Sequence, residues 1–413
     1  MDNKKEVVFI EGYQTVMLYK IAKELRKNNY KTILIRILEQ DELGEGIYKQ
    51  GYDEIIDLNL SYYKVTKENF SKIILSMFRK SGSLFKSLFK IIKLKPYIVI
   101  GRAPLSTPIA IFRILFRKTP FVYFPYDIMS QALATQEEAR KRHLPLFEIK
   151  ADRFCFENSD GILHKGAPEE LDYINGRMLG DNIKLPKHTL AFHPYCSDEF
   201  IMPLNKNKLS KKDKEIHLVY IGGTGRPTTN FYYSQMDSVK EILKQKIHIH
   251  MYFSSYVSFE KDNKKLRENA IKKFYEEYKD FEYIKYFHIY DSENPKDIVY
   301  EISKYDFGMF TPQLSIIAGM EPRFCTGNKI STYLEAGIAF FYRDNYKYIN
   351  RIMKKYSLDF KYPKDFTKFK PFIKKIKISK MNENIIKARK DFNINKHFPN
   401  FHQFIEKVAE SKK

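Results

Sequence analysis

The chain has 413 residues, more than one ordinary hydrophobic core accommodates, so two domains are expected. A hydrophobic content of 43% excludes a disordered polymer, and no apolar run reaches the roughly 20 residues that a membrane-spanning helix needs. A formal charge of +22 points to polyanions (nucleic acid, anionic lipid headgroups or phosphorylated substrates), although lysines spread along the whole chain also read as a compositional bias that keeps the protein soluble.

In chain order, "EVVFIEG" is a short β-rich run ending at Gly12. Apolar residues at helical spacing follow (Val16, Leu18, Ile21, Ala22, Leu25), and then "KTILIRIL". Strand, glycine loop, helix and strand in succession open a parallel α/β unit. "YDEIIDLN", "YIVIGRAP" and "FVYFPYD" predict further strands, with "TPIAIFRILFRK" as a helix between the last two. "SDGILHKG" and "HTLAFHPY" complete this half, assigned to 1–202. Residues 203–215, "PLNKNKLSKKDKE", turn polar and lysine-rich after a proline and predict an exposed linker. The pattern then restarts over 216–380. "IHLVYIGGTG", "IHIHMYFSS", "YIKYFHIY", "DFGMFTP" and "GIAFFY" predict strands, and "MDSVKEILKQ", "LRENAIKKFYEEYKDF" and the proline-opened "PKDIVYEISKY" predict helices. The segment 381–413 is helical and basic and can pack back on the first domain. The fold class is therefore α/β, with two Rossmann-like domains.

In open parallel sheets, ligands bind beyond the carboxyl ends of the strands. "YIGGTGRP" (220–227) is such an end: Gly223 lets backbone approach a ligand, and Arg226 offers a fork suited to phosphate, or the run is a tight turn with a surface arginine. It is not GxGxxG, and no GxxxxGK[ST] occurs, so dinucleotide binding and ATP hydrolysis lose support. The second candidate is "TGNKISTYLEAG" (326–337), where Gly327 and Asn328 turn into a helix whose first turn carries Lys329 and which Gly337 closes. A cation at a helix start opposes the dipole, which suggests an anion held there by Lys329 and the amides of Asn328, Lys329 and Ile330. Three cysteines far apart (Cys155, Cys196, Cys325) make no CxxC or zinc pattern, and "MDNKKEVVFIEG" has no signal-peptide core, so a reduced cytoplasmic setting is expected.

These stretches resemble the GT-B glycosyltransferases, in particular the family 4-like enzymes of bacterial surface-glycan biosynthesis. The family's late motif, Lys-x-x-Glu-Tyr-x-x-x-Gly, meets Lys329, Thr332, Tyr333 and Gly337 here; "ISKYDFGMF", "YIGGTGR", "ENSDGILHKG" and "AFHPYCSDEF" resemble its strand ends. The resemblance implies two domains facing a cleft, a nucleotide-sugar donor bound by the second domain, and a glycan or lipid-linked acceptor on the first. The family usually has a carboxylate where Thr332 stands, gripping ribose hydroxyls; Glu335, three residues on, is a candidate replacement. Phe324 holds the place of an earlier family glutamate. Glu321 and Arg323 fall on the loop that contacts the donor sugar, and His288 with the backbone of Ile289 falls where the family contacts the base, or His288 is structural. On the acceptor side stand Gly12 and Arg102, the latter to contact an acceptor phosphate or a backbone carbonyl. Asp127 in "FPYDIMSQ" is either a general base or orienting carboxylate, or a helix N-cap.

The scheme needs no metal and no cofactor, the nucleotide-sugar being a substrate, and no DxD triplet stands in a suitable strand-end loop. Residues 69–95 interleave Phe, Ile and Leu with Lys and Arg, suiting either an anionic membrane surface or an ordinary domain helix with a solvated basic face. The reading is thus a metal-independent glycosyltransferase, peripheral at the inner face of a membrane. Its rivals are a polyanion or nucleic-acid binder, for which no recognition motif appears, and a sugar-nucleotide epimerase of the same fold.

Overall fold

The computed structural model describes residues 4–12, 15–38, 49–60, 81–103, 106–126, 146–175, 182–222, 231–253, 263–290, 294–310, 323–324 and 326–412. The chain forms two compact units, Met1–His193 with His397–Lys413, and Pro194–Ile317 with Pro322–Lys396.

The first unit is built on seven strands: β1 (Glu6–Glu11), β2 (Lys31–Leu38), β3 (Glu54–Leu60), β4 (Ile98–Ala103), β5 (Phe121–Pro125), β6 (Gly161–His164) and β7 (His188–Ala191). All pair in parallel, in the order β3-β2-β1-β4-β5-β6-β7. Continuous apolar runs such as Val7–Ile10 and Phe121–Phe124 are what a sheet covered on both faces requires, and these residues are fully buried. The helix Val16–Lys27 starts at Thr15, whose hydroxyl accepts from the Leu18 amide. The helices Ser81–Lys93, Ser106–Leu115 and Leu146–Asn158 pack Ile91, Ile109, Phe112, Cys155 and Phe156 against Val8, Ile35, Val99 and Tyr123. The last helix, Ile394–Glu410, returns the chain to this unit. There the Glu406 carboxylate accepts from Lys5 Nζ (2.8 Å), Tyr30 Oη (2.5 Å) and Tyr97 Oη (2.9 Å).

The second unit holds β8 (Ile216–Gly222), β9 (Ile247–Phe253), β10 (Phe287–Tyr290), β11 (Phe307–Met309) and β12 (Ala339–Phe341), parallel in the order β10-β9-β8-β11-β12. The expected strand over "YIKYFHIY" is shorter than the sequence suggests: Glu282–Tyr286 is a 3-10 turn and only Phe287–Tyr290 joins the sheet. The proline-opened helix is Pro295–Ile302, with Asn294 Oδ1 accepting from the Lys296 and Asp297 amides. Residues 203–215 lie within this unit and are docked on it. The Leu209 amide donates to Lys304 O, and Lys208 Nζ donates to the Ser303 and Tyr305 carbonyls at 2.7 and 2.8 Å. Burial lowers the Lys208 ammonium to about 8.

Candidate active site

Each sheet reverses its strand order at one point, between β1 and β4 in the first and between β8 and β11 in the second. Loops leave the carboxyl ends of such strand pairs in opposite directions, so a crevice opens there.

At the second switch point β8 ends on Gly222, with φ +135°, a backbone region that is essentially glycine-only. The half-buried Lys329 side chain lies against it: a Cβ at Gly222 would meet Lys329 Cε at 2.8 Å and Nζ at 2.9 Å. The ammonium stands 4.6 Å from the Tyr220 ring centroid and 5.6 Å from that of Phe310, and Nζ donates weakly to Tyr220 Oη at 3.4 Å. Among the described residues no carboxylate pairs with it. Gly223 and Arg226, expected on the same loop, lie outside the described residues, as do Asp127 and Glu321.

The helix carrying Lys329 is Lys329–Glu335, seven residues long. It closes as expected at Gly337 (φ +71°), with Ile338 N donating to Tyr333 O and Gly337 N to Leu334 O, a Schellman cap. Tyr333 fixes its position. The fully buried phenol donates to Met309 O at 2.8 Å, lies 3.2 Å from Val219 O, and accepts from the Ile221 amide at 3.4 Å, so one hydroxyl spans β8 and β11. Burial pushes the phenol well above its ordinary value.

Several expectations are corrected. The Ile330 amide is not open to an anion, because it donates to Gly327 O at 3.1 Å. The Asn328 carbonyl accepts the Thr332 hydroxyl at 3.2 Å, so Thr332 is turned back on its own helix. Glu335 does not replace the missing ribose carboxylate: it is 1% exposed, and its Oε1 accepts from the Ser197 amide at 2.8 Å. His288 is not a base contact either, since its Nε2 is bonded to His248 Nδ1 at 2.8 Å within a stack of imidazoles. Ile289, whose backbone is the other candidate base contact, follows on the same edge strand. Arg323 is exposed beside Phe324, and its carbonyl accepts from the Tyr348 amide.

At the first switch point Gly12 is buried and follows Glu11, which pairs in register with Arg102. Both side chains are fully buried, 3.7 Å apart, and the guanidinium lies 4.2 Å from the Tyr126 ring centroid. Arg102 therefore has an internal counter-charge and no surface with which to meet an acceptor phosphate, which corrects that expectation. Burial pushes the Glu11 carboxyl up to about 7 against the opposing pull of Arg102 and of hydrogen bonds from Thr15 and Tyr52.

Sequence reasoning missed Glu11, Tyr220 and Phe310. The available signals were an acidic residue closing an apolar strand before Gly12 and aromatics within two residues of the strand ends.

No known family and no curated protein matches the sequence. Solved structures do match the whole chain. Sucrose-phosphate synthase from Thermosynechococcus elongatus aligns with a TM-score of 0.64 at 11% identity, covering 99% of this chain and 100% of that one. HepE of Anabaena, in complex with UDP and glucose, aligns at 0.59 and 10%, covering 98% and 99%. The trehalose 6-phosphate synthase of Burkholderia multivorans aligns at 0.59 and 9%, covering 99% and 100%. Two parallel sheets and these alignments establish the two-domain GT-B fold.

Proposed function

We propose that this chain is a glycosyltransferase that moves a sugar from a nucleoside-diphosphate donor to a glycan or lipid-linked glycan. The observation that carries the reading is the Lys329 ammonium, seated at the β8–β11 switch point against Gly222 with no carboxylate partner among the described residues. A leaving diphosphate there would meet a fixed positive charge as its own charge develops. Neighbours of the same fold solved with UDP and glucose, or with UDP-2-fluoro glucose, support a donor of that chemistry.

In this reading Arg226 joins Lys329 from the loop after Gly222, Gly223, Gly327 and Asn328 give the diphosphate close backbone approach, and Glu321 and Arg323 face the donor sugar. Asp127 is the candidate base or orienting carboxylate, with Gly12 on the acceptor side. No metal enters the scheme. Association with an anionic membrane surface is supported by the helix Ser81–Lys93, which exposes Phe85, Phe89 and Ile92 beside Lys86, Lys90 and Lys93. Among the described residues no helix is long and apolar enough to cross a membrane.

Thermal-shift titration with UDP, GDP, ADP and CMP tests the proposal. One diphosphate raises the midpoint, and Lys329→Met, which keeps the stem, weakens it by about 10- to 100-fold, the worth of a charge-assisted bond of about 1.5–3 kcal/mol. Identical midpoints with and without every nucleotide would remove the donor site.

A further inference from the structure

The second sheet carries a cluster that the donor site does not use. Period-two alternation in "IHLVY", "IHIHMY" and "FHIY" places His217 of β8, His248 and His250 of β9 and His288 of β10 on one face, and the register pairs His217 with His248 and His250 with His288. His217 stacks on His248 with centroids 4.4 Å apart, and His250 on His288 at 4.5 Å.

Each of three rings turns one nitrogen outward to a polar partner and the other inward. His217 Nε2 meets Asp213 Oδ2 at 2.8 Å, which leaves Nδ1 inward, 2.9 Å from His250 Nε2. His248 Nε2 meets Glu215 Oε2 at 2.6 Å, which leaves Nδ1 inward, 2.8 Å from His288 Nε2. His250 Nδ1 meets Tyr290 Oη at 3.1 Å, which leaves Nε2 inward. A carboxylate accepting the N–H of one ring nitrogen is the arrangement that fixes the tautomer of a metal-binding histidine and raises the basicity of the other nitrogen. One ligand nitrogen each from His217, His248 and His250 lies within 4.8 Å of the others.

We propose that His217, His248 and His250 bind one borderline divalent transition ion of the zinc class in the amino-terminal half of the second sheet, and that His288, which lies outside that cluster of three and is bonded to His248 Nδ1, is drawn in as fourth ligand. The all-imidazole donor set suits zinc, copper or nickel and not magnesium or calcium. Four ligands without an open position make the site structural. Zinc–nitrogen bonds of about 2.0–2.1 Å set tetrahedral ligand nitrogens about 3.4 Å apart, so the two hydrogen-bonded N–N pairs open by about 0.5 Å as the ion replaces their protons, and the wider separations among His217, His248 and His250, at most 4.8 Å, close. Three strands are thereby joined by one ion. The site is separate from Gly222 and Lys329 at the carboxyl end of the same sheet, and the inference does not rest on the transferase reading.

The test uses the untagged full-length chain, stripped with EDTA and dialysed. Expected are one equivalent of bound Zn2+ by plasma mass spectrometry, a raised unfolding midpoint with Zn2+ and not with Mg2+, and the intense visible band of four-coordinate Co2+. Asp213→Asn changes a half-exposed carboxylate, leaves the fold intact and weakens Zn2+ at least tenfold. His250→Gln abolishes the Co2+ band, and His188→Gln, on β7, changes neither readout. Substoichiometric Zn2+, or an affinity that Asp213→Asn and His250→Gln leave intact, overturns the proposal.

Discussion

Tyr333→Phe removes one oxygen atom from the place where β8, β11 and the Lys329 helix meet. The ring's packing survives the change, because its carbons lie where a Cβ on Gly308 would stand, at 2.7 Å, and it stays 5.6 Å from the Phe340 centroid. What is lost is a donor to Met309 O at 2.8 Å and an acceptor for the Ile221 amide at 3.4 Å, both at a fully buried position. Leaving buried backbone groups short of a partner costs about 1–3 kcal/mol. In a unit of this size each kcal/mol moves the midpoint by about 2–4 °C. Calorimetry on the full chain should therefore show the transition of the second unit lowered by about 2–12 °C while that of the first stays put, since the two are separate compact units. Nucleotide affinity should fall in parallel, because the same hydroxyl holds the helix that delivers the ammonium. A variant as stable as the wild type would show that the hydroxyl does not join the two strands.

Gly222→Ala places a side chain at φ +135° and within 3 Å of the Lys329 stem; it should cost about 1–3 kcal/mol of stability and at least tenfold in nucleotide affinity by calorimetric titration. Glu335→Ala strands the Ser197 amide, so it should lower the unfolding free energy by about 1–3 kcal/mol while leaving the donor KM unchanged; a raised KM at full stability would restore the ribose role. Glu11 gives a pH signature. Its folded-state pKa of about 7 lies above the unfolded value of 4.5, so its full stabilising share is present below pH 4.5 and is lost as pH rises through 7. Across that window Glu11→Gln should gain about 3 kcal/mol relative to wild type in urea midpoints. The pull of Arg102 is already contained in the folded-state value, since Glu11 is uncharged at the acid end, and parallel curves from pH 4.5 to 8 would refute the assignment.

The first unit's strands were legible because its parallel sheet is covered on both faces, which forces the unbroken apolar runs at 7–10, 98–100 and 121–124. The turn closing the Lys329 helix was legible because Gly337 sits at a positive φ that few other residues adopt. Side-chain commitments were not legible. Whether Glu335 faces a ribose or the Ser197 amide depends on a segment 138 positions away in sequence, and helical periodicity carries no information about it. For His288 the sequence supports both a base contact and a structural role, because one histidine read alone does not decide; its meaning comes from three others on neighbouring strands at matching register. The 203–215 segment shows that lysine content alone does not make a free linker, since Lys208 is drawn in by two carbonyls.

The two sheets share the order 3-2-1-4-5 over their first five strands, so both build a crevice at the same place, and chemistry alone distinguishes them. At the first, the cation at the strand end, Arg102, is answered by Glu11 one strand away, and the pair is sealed from solvent. At the second, the cation arrives from the helix after β11 and is cradled by aromatic faces and a glycine, which supply no negative charge. Aromatic faces weakly stabilise an ammonium but do not neutralise it. Among the described residues at the two switch points, the cation without a carboxylate partner is therefore Lys329 of the second unit. The proposed donor diphosphate site rests on this local imbalance at residue 329, and the net charge of +22, spread along both units, plays no part in the choice.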